Sequence, residues 1–231
     1  MSTDRQGAPA PAGTVAVLFS SEAGRHSSLF KNLNDLKVPD GTVKTFWYGE
    51  RDAALNSSVE DALASHSYWI WFISEDHAFE PDLLEKLLSR EQPIVAPVVV
   101  ENTAPYSAMA WTDIGSKGPV SLPLNDVIGP ASMVEVRGAT VTGMLVRRAV
   151  FEAMGSPWFR RTQSLTENVS EDQYFCERAR GLSFQTYLDT SSRLATLSDA
   201  AVMPTHKGDR WELSVGVGDN MKFTQPLRHS G

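Results

Sequence analysis

The chain has 231 residues, 42% of them hydrophobic and 21% charged, and a formal net charge of −7. That length fits one large α/β domain with at most a small appendage, and the composition supplies a full core. The acidic balance excludes a protein whose whole surface grips nucleic acid, though not a local basic patch or a metal-bridged phosphate ligand.

The single cysteine, Cys176, excludes an intramolecular disulfide and fits a reducing compartment, so a cytoplasmic location is expected. On a helix beside Phe175 it is expected to be a small buried hydrophobe rather than a nucleophile. No apolar run approaches the roughly 18 residues of a membrane span. Residues 1–13 are Ala/Pro/Gly-rich without the apolar centre of a signal peptide and read as a disordered lead-in.

From residue 14 to about 198 the pattern is that of a single α/β domain. Thr14 to Phe19 is a buried strand, closed by Ser20-Ser21-Glu22-Ala23-Gly24, and a helix follows through Leu29, Phe30, Leu33 and Leu36. Val43 to Tyr48 is the second strand. Leu55, Val59, Ala62 and Leu63 recur at helical spacing between Asp52 and Ala64. The run Tyr68-Trp69-Ile70-Trp71-Phe72-Ile73 suits a strand buried on both faces of a mostly parallel sheet, and it empties into Ser74-Glu75-Asp76-His77. Phe79-Glu80-Pro81-Asp82 then opens a Leu-rich helix, with Pro81 at its first position and Phe79 stapled on Leu84. Ile94 to Val100 is another strand, in which Pro97 predicts a bulge or an edge position.

Strand and helix alternate to this point, which predicts a parallel sheet with right-handed crossovers. Residues 101–130 lapse into Pro, Gly, Ser and Asn around Trp111 and are expected to hold short strands, a lid or acceptor contacts. Met133 to Arg137 and Ala139 to Val146 read as strands parted by Gly138. A helix from Arg148 to Met154 stops at Gly155, and Ser170-Glu171-Asp172-Gln173 is a capping box opening a helix that ends at Gly181. Phe184 to Leu188 and Arg193 to Leu197 complete the strands. Residues 199–231, with His206 and Trp211, show no periodicity and are expected to be a loop-rich extension.

Acidic groups at a strand end lie where open α/β sheets bind ligands. Glu75 and Asp76 offer hard oxygens suited to Mg²⁺ or Mn²⁺ bridging a diphosphate; alternatively they cap the following loop and helix. Glu171 and Asp172 either satisfy a helix dipole or include a general base toward an acceptor hydroxyl. Trp158-Phe159 is a stacking platform for a sugar or a base, or simply core. Gly138 and Gly143 allow close approach of a ligand or mark bends. Arg147-Arg148 and Arg160-Arg161 meet phosphates or are solvated charge. Of the five histidines, His77 beside the acidic turn and His206 in the tail either reach a metal or serve no ligand role.

The order of these features resembles compact bacterial and phage-type glycosyltransferases of the GT-A fold, of the family-two kind, over about Val15 to Leu197. The resemblance implies a mostly parallel central sheet flanked by helices with a smaller acceptor-side antiparallel portion, and transfer of a sugar from a nucleotide diphosphate to a hydroxyl. It makes Ser74-Glu75-Asp76 the counterpart of the family's Asp-x-Asp motif, with serine in the first carboxylate's place. Thr196 stands where many relatives carry a ligand histidine, which weakens a Mn²⁺ or Mg²⁺ site. Donor contacts are implied for Ser20, Ser21, Glu22, Arg51, Asn56, Glu75 and Asp76, metal contacts for Asp76, Glu75 and His77, and the base role for Asp172 with Glu171 beside it. Trp158 and Trp111 fall on the acceptor side, where the acceptor is a glycan or a hydroxymethylated base in DNA. A catalytically silent binding module is the third reading.

Overall fold

A computed structural model describes residues 11–19, 26–101, 107–115, 118–123, 127, 132–163, 168–197, 200–207, 210–217 and 221–226. In chain order the elements are β1 (Thr14–Phe19), α1 (His26–Asp35), β2 (Val43–Tyr48), α2 (Arg51–Ala64), β3 (Trp69–Ser74), β4 (His77–Ala78), α3 (Leu83–Leu88) and β5 (Ile94–Val99). There follow β6 (Ala110–Gly115), β7 (Gly118–Ser121), β8 (Met133–Val136), β9 (Gly138–Ala139), β10 (Leu145–Arg147) and α4 (Arg148–Met154). The last are β11 (Thr162–Gln163), β12 (Asn168–Val169), α5 (Glu171–Gly181), β13 (Thr186–Thr196), β14 (Ala200–Lys207), β15 (Arg210–Val217) and β16 (Met221–Pro226).

The central sheet has the order β2-β1-β3-β10-β5-β13-β4, with β8 also on β13. β1, β2, β3, β5 and β13 run the same way; β10, between β3 and β5, runs against them. The apolar strands explain the layering, because successive side chains leave opposite faces. Ile70 and Phe72 enter the core shared with α2, α4 and α5, whereas Trp69, Trp71 and Ile73 enter the core shared with α1 and α3. Each fully buried aromatic contributes about 2–3 kcal/mol of transfer free energy, and the Trp71 indole donates to the Gly143 carbonyl at 2.9 Å, so its polar end is answered too.

Several sequence expectations are refined. The helix after β3 starts at Leu83, not Pro81, because the Pro81 carbonyl accepts from the Lys37 amide at 2.8 Å and holds that turn against the chain after α1. Pro97 lies in an internal, wholly buried strand; the irregularity falls on its partner, where the β5–β13 register shifts between Asp189 and Arg193. β10 pairs only with Ile94 and Val95 on β5, so Pro97 withholds no donor from that ladder. The stretch expected as one strand from Ala139 to Val146 is broken by a turn, in which the Met144 amide donates to Val141 and Gly143 takes φ +108°. Residues 101–130 hold the β6–β7 hairpin, and with β9 it forms the small antiparallel sheet β7-β6-β9.

The extension expected to be loop-rich contains three antiparallel strands, β14 to β16. Their register sets Val202 opposite Val215, and Val215 opposite Phe223; the alternation becomes legible only once the strands are aligned. Among the described residues, no helix is long and apolar enough to cross a membrane.

Candidate functional site

Arg51 is the hub. It is the first residue of α2, just beyond the carboxyl end of β2, and it reaches the first turn of α5, 120 residues further along the chain. Its Nε lies 2.6 Å from Glu171 Oε1, and its Nη2 lies 3.0 and 3.2 Å from the two carboxylate oxygens of Asp172. Ser170 makes this possible: its hydroxyl accepts the Gln173 amide at 3.2 Å and starts α5 there, so the two acidic residues occupy the first turn, where the helix dipole favours them.

Asp172 is held from other sides as well. The Val141 amide donates to its Oδ1 at 3.0 Å and the Thr140 hydroxyl to its Oδ2 at 3.5 Å, both from the turn between β9 and β10. Glu171 is 6% exposed in its side chain; its Oε2 accepts no hydrogen bond among the described residues, and the Arg161 Nε stands 4.0 Å away. The Asp172 charge holds the Arg51 guanidinium protonated above its ordinary range against the opposing effect of burial, with Glu171 and, more distantly, Asp76 adding to it.

Asp76 is the carboxylate of β3's end that reaches solvent, at 28% side-chain exposure. Its carbonyl accepts the Leu197 amide at 2.6 Å, tying the end of β13 to the acidic turn. Glu75 is buried, and its backbone amide donates to the Leu18 carbonyl at 3.1 Å. His77 is 3% exposed, and the Ser74 amide donates to its Nδ1 at 3.2 Å. Burial pushes the imidazole down to about 4; Asp76 pulls the other way and Arg51 adds to the push.

These contacts bear on the expected metal site. A ligating histidine donates through one ring nitrogen so that the other can bind the ion. Here Nδ1 accepts, which assigns the proton of the neutral ring to Nε2 and leaves no lone pair for a cation. Among the described residues no three histidine, cysteine or acidic side chains come together as ligands. The Thr196 hydroxyl is directed to the Val100 carbonyl at 3.4 Å. Of the expected ligand set, His77 is turned away by its bond to the Ser74 amide, Glu75 is buried and Asp76 reaches solvent, and the three do not converge as metal ligands among the described residues.

The other expected residues divide clearly. Asn56 accepts the Trp158 and Phe159 amides at 2.9 and 3.1 Å and donates to the Asp52 and Phe159 carbonyls at 2.8 Å each, which makes it a clamp between α2 and the chain before β11. Trp158 is 5% exposed and its indole donates to the Phe151 carbonyl, so it belongs to the core. Trp111 is buried over Gly138, where an added Cβ would lie 2.3 Å from the indole ring. Arg147 donates to the Leu88 carbonyl, and Arg148 pairs with Glu152 and donates to the Leu63 carbonyl, so half of the proposed basic patch is engaged structurally. Ser20, Ser21 and Glu22 lie outside the described residues, as does the side chain of His206. Sequence reasoning missed Thr140 and the Val141 amide; the paired glycines Gly138 and Gly143 around that turn were the signal available.

Arg51, Asp76, Glu171 and Asp172 thus gather outside the carboxyl ends of β2 and β3, where doubly wound sheets bind ligands. Among solved structures, the chain resembles GalNAc-T7, determined with UDP, GalNAc and Mn²⁺, at TM-score 0.56 and 9% identity, over 80% of this chain and 43% of that one. It also resembles A197 from STIV at TM-score 0.50 and 13% identity, over 85% of this chain and 100% of that one. The fold is GT-A-like. At these identities the likeness is one of fold, and the chain spans less than half of the GalNAc-T7 chain. No protein-family profile matches the sequence, and neither does any curated protein.

Proposed function

We propose that the chain is a glycosyltransferase that takes a sugar from a nucleotide diphosphate and passes it to a hydroxyl acceptor. The observation that carries this reading is the convergence of Arg51, Asp76, Glu171 and Asp172 at the strand ends of a GT-A-like sheet. Arg51 is the cation of the site. A planar guanidinium presents a fork that matches carboxylate and phosphate oxygens equally well, so a donor diphosphate competes with Asp172 for it.

As Arg51 turns toward the departing diphosphate, Asp172 is relieved of its countercharge and becomes able to take the acceptor's proton. Glu171 Oε2 is an acceptor without a hydrogen bond among the described residues, suited to orient that hydroxyl. Asp76 would position the donor sugar. Most of the rate acceleration would come from placement and charge neutralisation. The GalNAc-T7 structure holds Mn²⁺; here Asp76 is the solvent-reaching carboxylate of the acidic turn among the described residues, and no step depends on a cation.

The test is donor hydrolysis with a panel of nucleotide sugars, with and without Mn²⁺, for the full chain and Asp172→Asn. The expected result is slow release of nucleotide that survives chelation and is lost in Asp172→Asn, with donor affinity retained. If calorimetry detects no binding of any nucleotide sugar, the reading is wrong.

One observation favours a second reading, a catalytically silent nucleotide- or glycan-binding module: both Asp172 oxygens already accept hydrogen bonds. It predicts donor binding with no turnover in either protein.

A further inference from the structure

We infer that the cavity between α3 and the irregular middle of β13 is a binding site for a small anion carried on a short apolar body, with Arg193 as its charged contact. The cavity measures about 440 Å³ and is lined by Phe79, Leu83, Lys86, Ser191, Arg193 and Ala195, among others. That size is in the range of small-molecule sites, and the lining mixes apolar Ala78, Phe79, Leu83 and Ala195 with polar groups that include the Glu80 carboxylate, itself paired with Lys86. It shares no lining residue with the Arg51 cluster, and its argument does not use the transferase reading.

The bulge that shapes it is built at some cost. Asp189 is fully buried, and taking a carboxylate out of water costs several kcal/mol unless donors surround it. Arg90 supplies two, Nε at 2.8 Å and Nη2 at 3.2 Å; the Ser191 amide and hydroxyl lie at 3.0 and 2.6 Å, and the Ser192 hydroxyl at 2.8 Å. Burial alone would raise the Asp189 carboxyl, but these donors hold it below its ordinary range. A bulge re-aims side chains, and here it brings Ser191 and Arg193 to the cavity wall.

Charge supplies the ligand's sign. Lys86 is answered by Glu80 at 3.1 Å and Asp82 at 3.0 Å. Arg51, Arg90, Arg137 and Arg148 each have a carboxylate partner. Arg193 is exposed, lines the cavity, and makes no ion pair among the described residues. An exposed guanidinium lining one cavity with Phe79 and Leu83 suits a phosphate or carboxylate joined to a ring or short chain.

The experiment is an amide NMR titration of the labelled full chain with phenyl phosphate, inorganic phosphate and phenol, repeated with UDP. Phenyl phosphate is expected to shift the Ser191, Arg193 and Ala78 amides saturably, inorganic phosphate more weakly, and phenol not at all. Because Arg193 is exposed, Arg193→Ala should fold normally and lose about tenfold in affinity; Arg193→Lys should lose less. Unchanged affinity in Arg193→Ala, phenol binding as well as phenyl phosphate, or displacement by UDP would each overturn the proposal.

Discussion

Thr196 lies directly across from His77 in the antiparallel pairing of β13 with β4. A histidine therefore stands beside the position where the resemblance placed one, but it is turned inward and bonded to the Ser74 amide. Proximity alone does not make a ligand; the ring's proton decides.

That arrangement predicts a pH response. The folded imidazole titrates at about 4, below its ordinary 6.5. Between those values the unfolded chain binds a proton that the folded chain refuses, so stability is complete above about pH 6.5, declines through the window and levels off below about 4. The loss should reach at most about 3 kcal/mol. Urea midpoints at pH 7 and pH 5 for the native chain and His77→Asn measure it; a slope just as steep in His77→Asn would assign the effect to other groups.

Arg51→Ala should destabilise the fold as well as abolish donor binding. It leaves the buried Glu171 without its 2.6 Å partner, a loss of about 2–4 kcal/mol. Arg51→Lys keeps the charge without the fork and should fall between. Denaturant unfolding separates the three proteins, and equal stability of Arg51→Ala and native would show that the cluster is not coupled as described.

Asn56→Ala should act through folding alone. Three hydrogen bonds from this side chain join α2 to Trp158 and Phe159, and a fourth stays within α2 at the Asp52 carbonyl; their removal should cost about 2–3 kcal/mol. Donor affinity of the folded fraction should be unchanged in calorimetry; a specific loss of affinity would return Asn56 to the donor site.

Gly138→Ala tests the junction of α5 with the small sheet. A Cβ there would meet the Trp111 ring at 2.3 Å and the Cys176 Cβ at 2.9 Å, neither of which can retreat through packed core. Destabilisation of about 1–3 kcal/mol is expected from thermal unfolding, whereas Gly49→Ala, with open space but φ +111°, should cost only its backbone strain.

The local signals in the sequence proved the readable ones. The apolar run into Glu75-Asp76 and the Ser170 capping box fixed β3, the acidic turn and the start of α5, because periodicity and capping act over a few residues. The partners of those residues were not readable in the same way. Arg51 meets Asp172 across 121 positions and Arg90 meets Asp189 across 99, and no local pattern encodes which distant charge answers which. The placement of His77 depends on β4, a two-residue strand too short to leave a periodic trace.

Cys176 is wholly buried beneath that same α5 junction, with its thiol directed to the Ala139 carbonyl and pushed up by burial to about 12. The chain thus carries a built-in clock: its only sulfhydryl is sealed and inert while helix and small sheet stay shut. The speed of its alkylation by an added reagent therefore times how often that seam breathes.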